Sequence, residues 1–230
     1  MNLMVEWVRQ VALTWHADAE PYEFADYIIA FAFGNRPPAN GGDPATTLAE
    51  PGPTNEALAD VIAAMVRTKR VPVYAQWEIA RILESKHHVN NVVSIEPVIE
   101  EDGTIVYLST DGVAKQVAEL QADLPGGPGR ASVVGFRDHH KRCVLTCRAN
   151  DLVAHAPEGV AMPRDYDAES GQVWTRYRPV RHGGAAGSSS GGAARGRRRE
   201  SVHTLQVSSV APAVGPAVAP RGQFGQVARE

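Results

Sequence analysis

The sequence predicts an α/β domain, three layers thick, built on a mostly parallel sheet of about five strands, and three observations predict it. Short apolar runs recur at 27–33, 71–75, 91–95, 131–136 and 152–156, each bounded by Gly, Pro or polar turn residues as a buried strand is. Amphipathic segments of helical period alternate with these runs, and that alternation is the pattern of a parallel sheet covered on both faces. A hydrophobic fraction of 43 % over 230 residues supplies the core such a sheet needs.

Taken in order, Leu3, Met4, Trp7, Val8, Val11 and Trp15 form a stripe at helical spacing, interrupted by Glu6 and Arg9. It reads as an amphipathic helix and not as a signal peptide or a membrane span. The run 27–33 is stopped by Gly34-Asn35, and the prolines and glycines of 37–53 mark a long loop. A helix follows with Thr54 as its expected N-cap and Leu58, Val61, Ile62 and Met65 on one face, ending around Thr68. In the run 71–75, Pro72 stands near the start, where a missing donor is tolerated. The helix 76–85 then turns Ile79, Ile82 and Leu83 inward. After 91–95, Asp102-Gly103 between Val98-Ile99 and the run 105–108 signals a small β-hairpin insertion. Helix 111–122 is expected to bury Val113, Val117 and Leu120, and Pro125 begins the turn that breaks it. Strand 131–136 feeds a helix over 139–149, with Asp138 as the expected cap, and 152–156 completes the set.

Charge divides the chain unevenly. Residues 1–180 carry 16 Lys and Arg against 24 Asp and Glu, while residues 181–230 carry 7 against 2. The expected organisation is an α/β domain over 1–180 and a disordered Gly-, Ala-, Arg- and Pro-rich tail over 181–230, where no periodicity survives. An acidic domain is a poor general partner for nucleic acid, and Arg195-Gly196-Arg197-Arg198-Arg199 reads as solvated tail. Cys143 and Cys147 lie four apart within a helix, where side chains stack and structural disulfides are rare. A reducing, cytoplasmic location is expected on these grounds.

Ligands of an open parallel sheet bind beyond the carboxyl ends of its strands. The polar residues expected there are Gly34, Asn35 and Arg36, then Gln76 and Glu78, then Ser109, Thr110 and Asp111, and last Arg137, Asp138, His139 and Arg142. His139 and Arg142, three apart, join the free N–H groups and positive dipole of a helix N-terminus, which together favour a phosphate or carboxylate. The competing reading pairs Arg142 with a surface acid and packs His139 as filler. Glu78 and His139 are the candidates for acid–base chemistry. The sequence holds no nucleophile elbow, Walker or dinucleotide-binding glycine spacing. No metal site is expected, because His139, Cys143 and Cys147 climb about 12 Å along one helix and cannot share an ion. His87-His88 falls in a connection and is expected to be exposed.

With these residues placed, Gly135-Phe136-Arg137-Asp138-His139-His140-Lys141-Arg142-Cys143 resembles the strand-to-helix segment, with its H-x-x-R motif, of the YdcF/SanA/ElyC family, a domain of unknown function. The order of elements over residues 25–160 is similar too. The resemblance implies a Rossmann-like fold with Gly34 after the first strand, Glu78 as the acidic residue after the second, and Thr110 before the penultimate helix. Val113 stands where the family tends to have Asn, and Gln76-Trp77 where it has a double-Gly turn. Members are associated with cell-envelope biogenesis, one is reported to bind S-adenosylmethionine, and they share no established reaction. The expected function is binding of an anionic or nucleotide-like small molecule at the carboxyl edge of the sheet, with S-adenosylmethionine as the named candidate. The alternatives are a non-catalytic interaction or regulatory module with Asp165-Tyr166-Asp167 and the tail as its contact points, and a phosphoester hydrolase with Glu78 or His139 as the base.

Overall fold

The computed structural model describes residues 17–124 and 127–177; the expected N-terminal helix and the tail over 181–230 lie outside them. In chain order the elements are β1 (Ala19–Glu20), β2 (Tyr27–Ala30), α1 (Gly52–Thr68), β3 (Val73–Gln76), α2 (Trp77–Ser85), β4 (Val92–Ile95), β5 (Val98–Ile99), β6 (Ile105–Val106), α3 (Thr110–Ala122), β7 (Arg130–Val134), α4 (Arg137–Ala149) and β8 (Val153–Pro157). Six strands form one sheet in the order β1-β8-β7-β2-β3-β4, and every ladder in it is parallel. The remaining two pair as the expected antiparallel hairpin, Val98 opposite Val106 and Ile99 opposite Ile105.

The alternation of β2 decides which helices cover which face. Ile28 and Ala30 pack with Leu58, Ile62, Ile79 and Leu83 of α1 and α2. Tyr27 and Ile29 pack with Val113, Val117, Val144 and the free thiols Cys143 and Cys147 of α3 and α4. A strand buried on both sides has no polar face to show, which is why it reads as a continuous apolar run. From β2 the chain moves outward to β3 and β4, then returns through α3 to β7 on the other side of β2. The carboxyl ends of β2 and β7 therefore flank the topological switch point, where a crevice opens in folds of this kind.

Several local expectations give way to tertiary structure. A sixth strand, β1, extends the sheet beside β8 through only two residues. Thr54 lies inside the first turn of α1, whose N-cap is Pro51, and its hydroxyl donates to the Asp165 carbonyl at 3.3 Å. Asp138 likewise lies inside α4, which starts two residues earlier than expected and has no side-chain cap. Ser109 is the one expected loop residue that caps, accepting from the Gly112 N–H at 3.1 Å. Leu120 is 41 % exposed, so the buried stripe of α3 is narrower than its apolar residues. His88 is exposed, but His87 is not; its Nε2 lies 2.8 Å from Asp60 Oδ1. No helix among the described residues is long and apolar enough to cross a membrane.

Burial sets the expected cost of truncation. Ile29→Ala, at a fully buried position of the central strand, should lower the unfolding free energy by about 2–5 kcal/mol. Leu120→Ala should change it by less than about 1 kcal/mol. Denaturant titration of both variants checks the pair.

Candidate functional site

The chain leaving β2 passes through the switch point, and its backbone polar groups are met by side chains from neighbouring elements. Ala32 N–H donates to Gln76 Oε1 at 2.8 Å, and Phe33 N–H donates to Asn55 Oδ1 at 2.9 Å. Asn55 also donates through Nδ2 to the Gly34 carbonyl at 2.6 Å and the Pro51 carbonyl at 2.5 Å. Gly34 adopts φ +73°, and a Cβ there would lie 2.5 Å from Thr175 Oγ1 and 2.7 Å from Ser170 Oγ. Only glycine accepts both demands.

The segment after β8 closes over this loop. Gly171 N–H and Ser170 Oγ both donate to the Asn35 carbonyl, at 2.7 and 3.1 Å. The Arg36 guanidinium, expected to face a ligand, instead grips Asp167 with two bonds of 2.8 and 3.0 Å and reaches Glu169 at 3.0 Å. Aromatic rings pack together on the β7 side of the switch point. Phe33 and Phe136 stack with centroids 4.1 Å apart, and Tyr166 sets its edge against both.

The two acid–base candidates lie in separate surroundings. Glu78, in the first turn of α2, is only 4 % exposed, and its Oε2 has no hydrogen-bond partner. Burial raises its pKa to about 7; bonds from its own backbone N–H and from Asn35 pull the other way, and the charge of Glu96 adds a smaller push upward. His139 is also buried, with Nε2 3.3 Å from the Thr110 hydroxyl. Burial first, then the charges of Arg142 and His140, lower its pKa to about 4, so the ring is neutral at neutral pH and adds no positive charge. No hydrogen bond links Glu78 to His139 among the described residues.

The first turn of α4 is partly occupied by the chain itself. Arg137 N–H donates to the Pro163 carbonyl at 2.9 Å, the Arg137 side chain pairs with Asp138 at 3.0 Å, and Tyr166 donates to Asp138 at 3.0 Å. Arg142 is exposed and borders a shallow hollow with Asp111, Lys141 and Thr146, in which His139 takes no part. Among the candidates, then, Gly34, Asn35, Gln76 and Glu78 gather around the exits of β2 and β3, while Thr110 and His139 meet beside β7. Asn55, Ser170 and Thr175 were not singled out by sequence reasoning; an Asn in the opening turn of a helix was the one available signal. The buried thiols take no part in the site: burial pushes Cys143 well up and Cys147 up to about 12. No cluster able to hold a metal ion exists among the described residues. No family model, curated protein or solved structure matches this chain.

The raised pKa of Glu78 has a stability consequence. Between the ordinary value of 4.5 and about 7, the native state binds more protons than the unfolded chain, so stability falls as pH rises through that window. Glu78→Gln should remove this dependence and be more stable than the parent above the window by about 3 kcal/mol. Melting curves of parent and variant from acid to mildly alkaline pH test it; parallel curves would contradict it.

Proposed function

We propose that the domain binds a nucleotide-like small molecule at the carboxyl edge of its sheet, with S-adenosylmethionine as the named candidate, and that Glu78 receives hydrogen bonds from it. One observation carries the reading: the Glu78 carboxyl group sits in the turn after β3 with one buried oxygen unpartnered. A buried acceptor left without a donor costs about 1–3 kcal/mol, and ligand hydroxyl or amine hydrogens recover that cost. Doubly wound sheets use an acidic side chain at this edge for ribose hydroxyls. A nucleoside supplies those hydroxyls, and S-adenosylmethionine adds an amino group. The anionic end of such a ligand falls to Arg142, since His139 is neutral and Arg137 is engaged. A carboxyl group titrating near neutrality also suits general acid–base work, which is the catalytic form of the proposal.

A specific observation favours a second reading, a non-catalytic regulatory or interaction module. Ser170 and Thr175 fill the space over Gly34, where a dinucleotide-binding fold brings its pyrophosphate against the backbone.

Calorimetric titration with S-adenosylmethionine, its demethylated product and ATP separates the two. The proposal expects saturable binding of at least one, weakened by about 1.5–3 kcal/mol in Glu78→Gln, the loss of a bond to a charged group. Silence across the panel favours the second reading, and equal affinity in the variant removes Glu78 from the site.

A further inference from the structure

The amino edge of the sheet carries a cavity of about 350 Å³, bounded by the end of α1 and the turns that enter β3 and β4. Val66, Val71 and Val89 give it apolar walls, and Arg67, Arg70 and His88 supply its polar groups with two asparagines beside them. The volume is that of a small-molecule site. No Asp or Glu borders it, although the sequence through residue 180 is acidic. Of the acids on α1, Glu56 and Asp60 pair with Lys86 at 2.8 Å, and Asp60 also with His87. Lys69, between the two arginines in sequence, points its ammonium at the Glu23 and Ala25 carbonyls. The guanidinium groups of Arg67 and Arg70 make no ion pair or hydrogen bond among the described residues.

His88 provides a separate observation. It adopts φ +52° just past the end of α2, where Val89 N–H donates back to the Leu83 carbonyl at 3.0 Å. That is the left-handed helix terminus usually made by glycine, and a side chain there carries a backbone cost. The chain bears that cost at a position that lines the cavity.

We propose that this cavity is a second ligand site, specific for a small phosphate monoester, in which Arg67, Arg70 and His88 hold the phosphate and the valines receive the apolar portion. Two guanidinia offer the paired N–H donors that phosphate oxygens accept. The site lies at the opposite edge of the sheet from Glu78 and stands independently of the proposal made there.

The test is titration of the full chain with phenyl phosphate and with benzoate, followed by backbone amide NMR. Phenyl phosphate should give saturable shifts centred on Arg67, Arg70 and residues 88–91, and benzoate should bind at least about tenfold more weakly. The double variant Arg67→Ala/Arg70→Ala should keep its melting temperature and lose at least about tenfold in affinity, as expected when charge-assisted bonds are removed. His88→Gly should fold at least as well, because the backbone strain is relieved, yet bind more weakly. Shifts that fail to saturate, equal binding of benzoate, or undiminished affinity in either variant would overturn the proposal.

Discussion

A single buried amide holds the carboxyl edge of this sheet together. Where β2 ends, the chain must turn away from its neighbours, and N–H and C=O groups left unpaired in the interior cost about 1–3 kcal/mol each. Asn55, which has no exposed surface, answers three of them from one side chain: the Phe33 N–H and the Gly34 and Pro51 carbonyls. Because Asn55 belongs to the first turn of α1, the same bonds tie the start of that helix to the strand it follows, across the long loop between them. Gly34 is thereby held with its side-chain-free face toward Ser170 and Thr175.

Everything beyond that loop inherits its position. The Arg36–Asp167 pair is conspicuous, but Arg36 is 38 % exposed, and a partly solvated ion pair contributes only modestly. The hold of the closing segment rests more on the bonds to the Asn35 carbonyl and on the buried Ser170–Thr175 hydroxyl pair, 2.7 Å apart. Burial at this edge also sets its chemistry, since desolvation disfavours whichever form of a group is charged. It leaves Glu78 titrating near neutrality and His139 uncharged. The amino edge is the electrostatic opposite, with solvent-exposed arginines around a hollow free of acids.

The strands were legible because burial on both faces makes them short apolar runs, as at Tyr27–Ala30, and the helices because their stripes follow the helical period. β1 was not, since two residues at the sheet edge carry no pattern. Capping rules failed at Thr54 and Asp138 because both helices begin two residues or more before the expected start. That places these side chains inside the first turn, where they meet the Asp165 carbonyl and, for Asp138, Arg137 and Tyr166. The rule that sites gather at strand exits brought out Gly34, Gln76, Glu78 and His139. It could not foresee that Arg36 would meet Asp167, 131 residues away, since no periodicity links positions so far apart. Arg67, in the last turn of α1, and Arg70, just beyond it, drew no attention in the sequence, because only the fold sets them around a common cavity.

Native-state hydrogen exchange on Asn55→Ala tests most directly whether one amide organises this edge. If it does, protection should fall together at Phe33, at Arg36 and at residues 170–172, and global stability should drop by about 2–4 kcal/mol, as unmaking several buried bonds requires. A loss confined to the Phe33 amide, with protection unchanged at Arg36 and Gly171, would contradict the account.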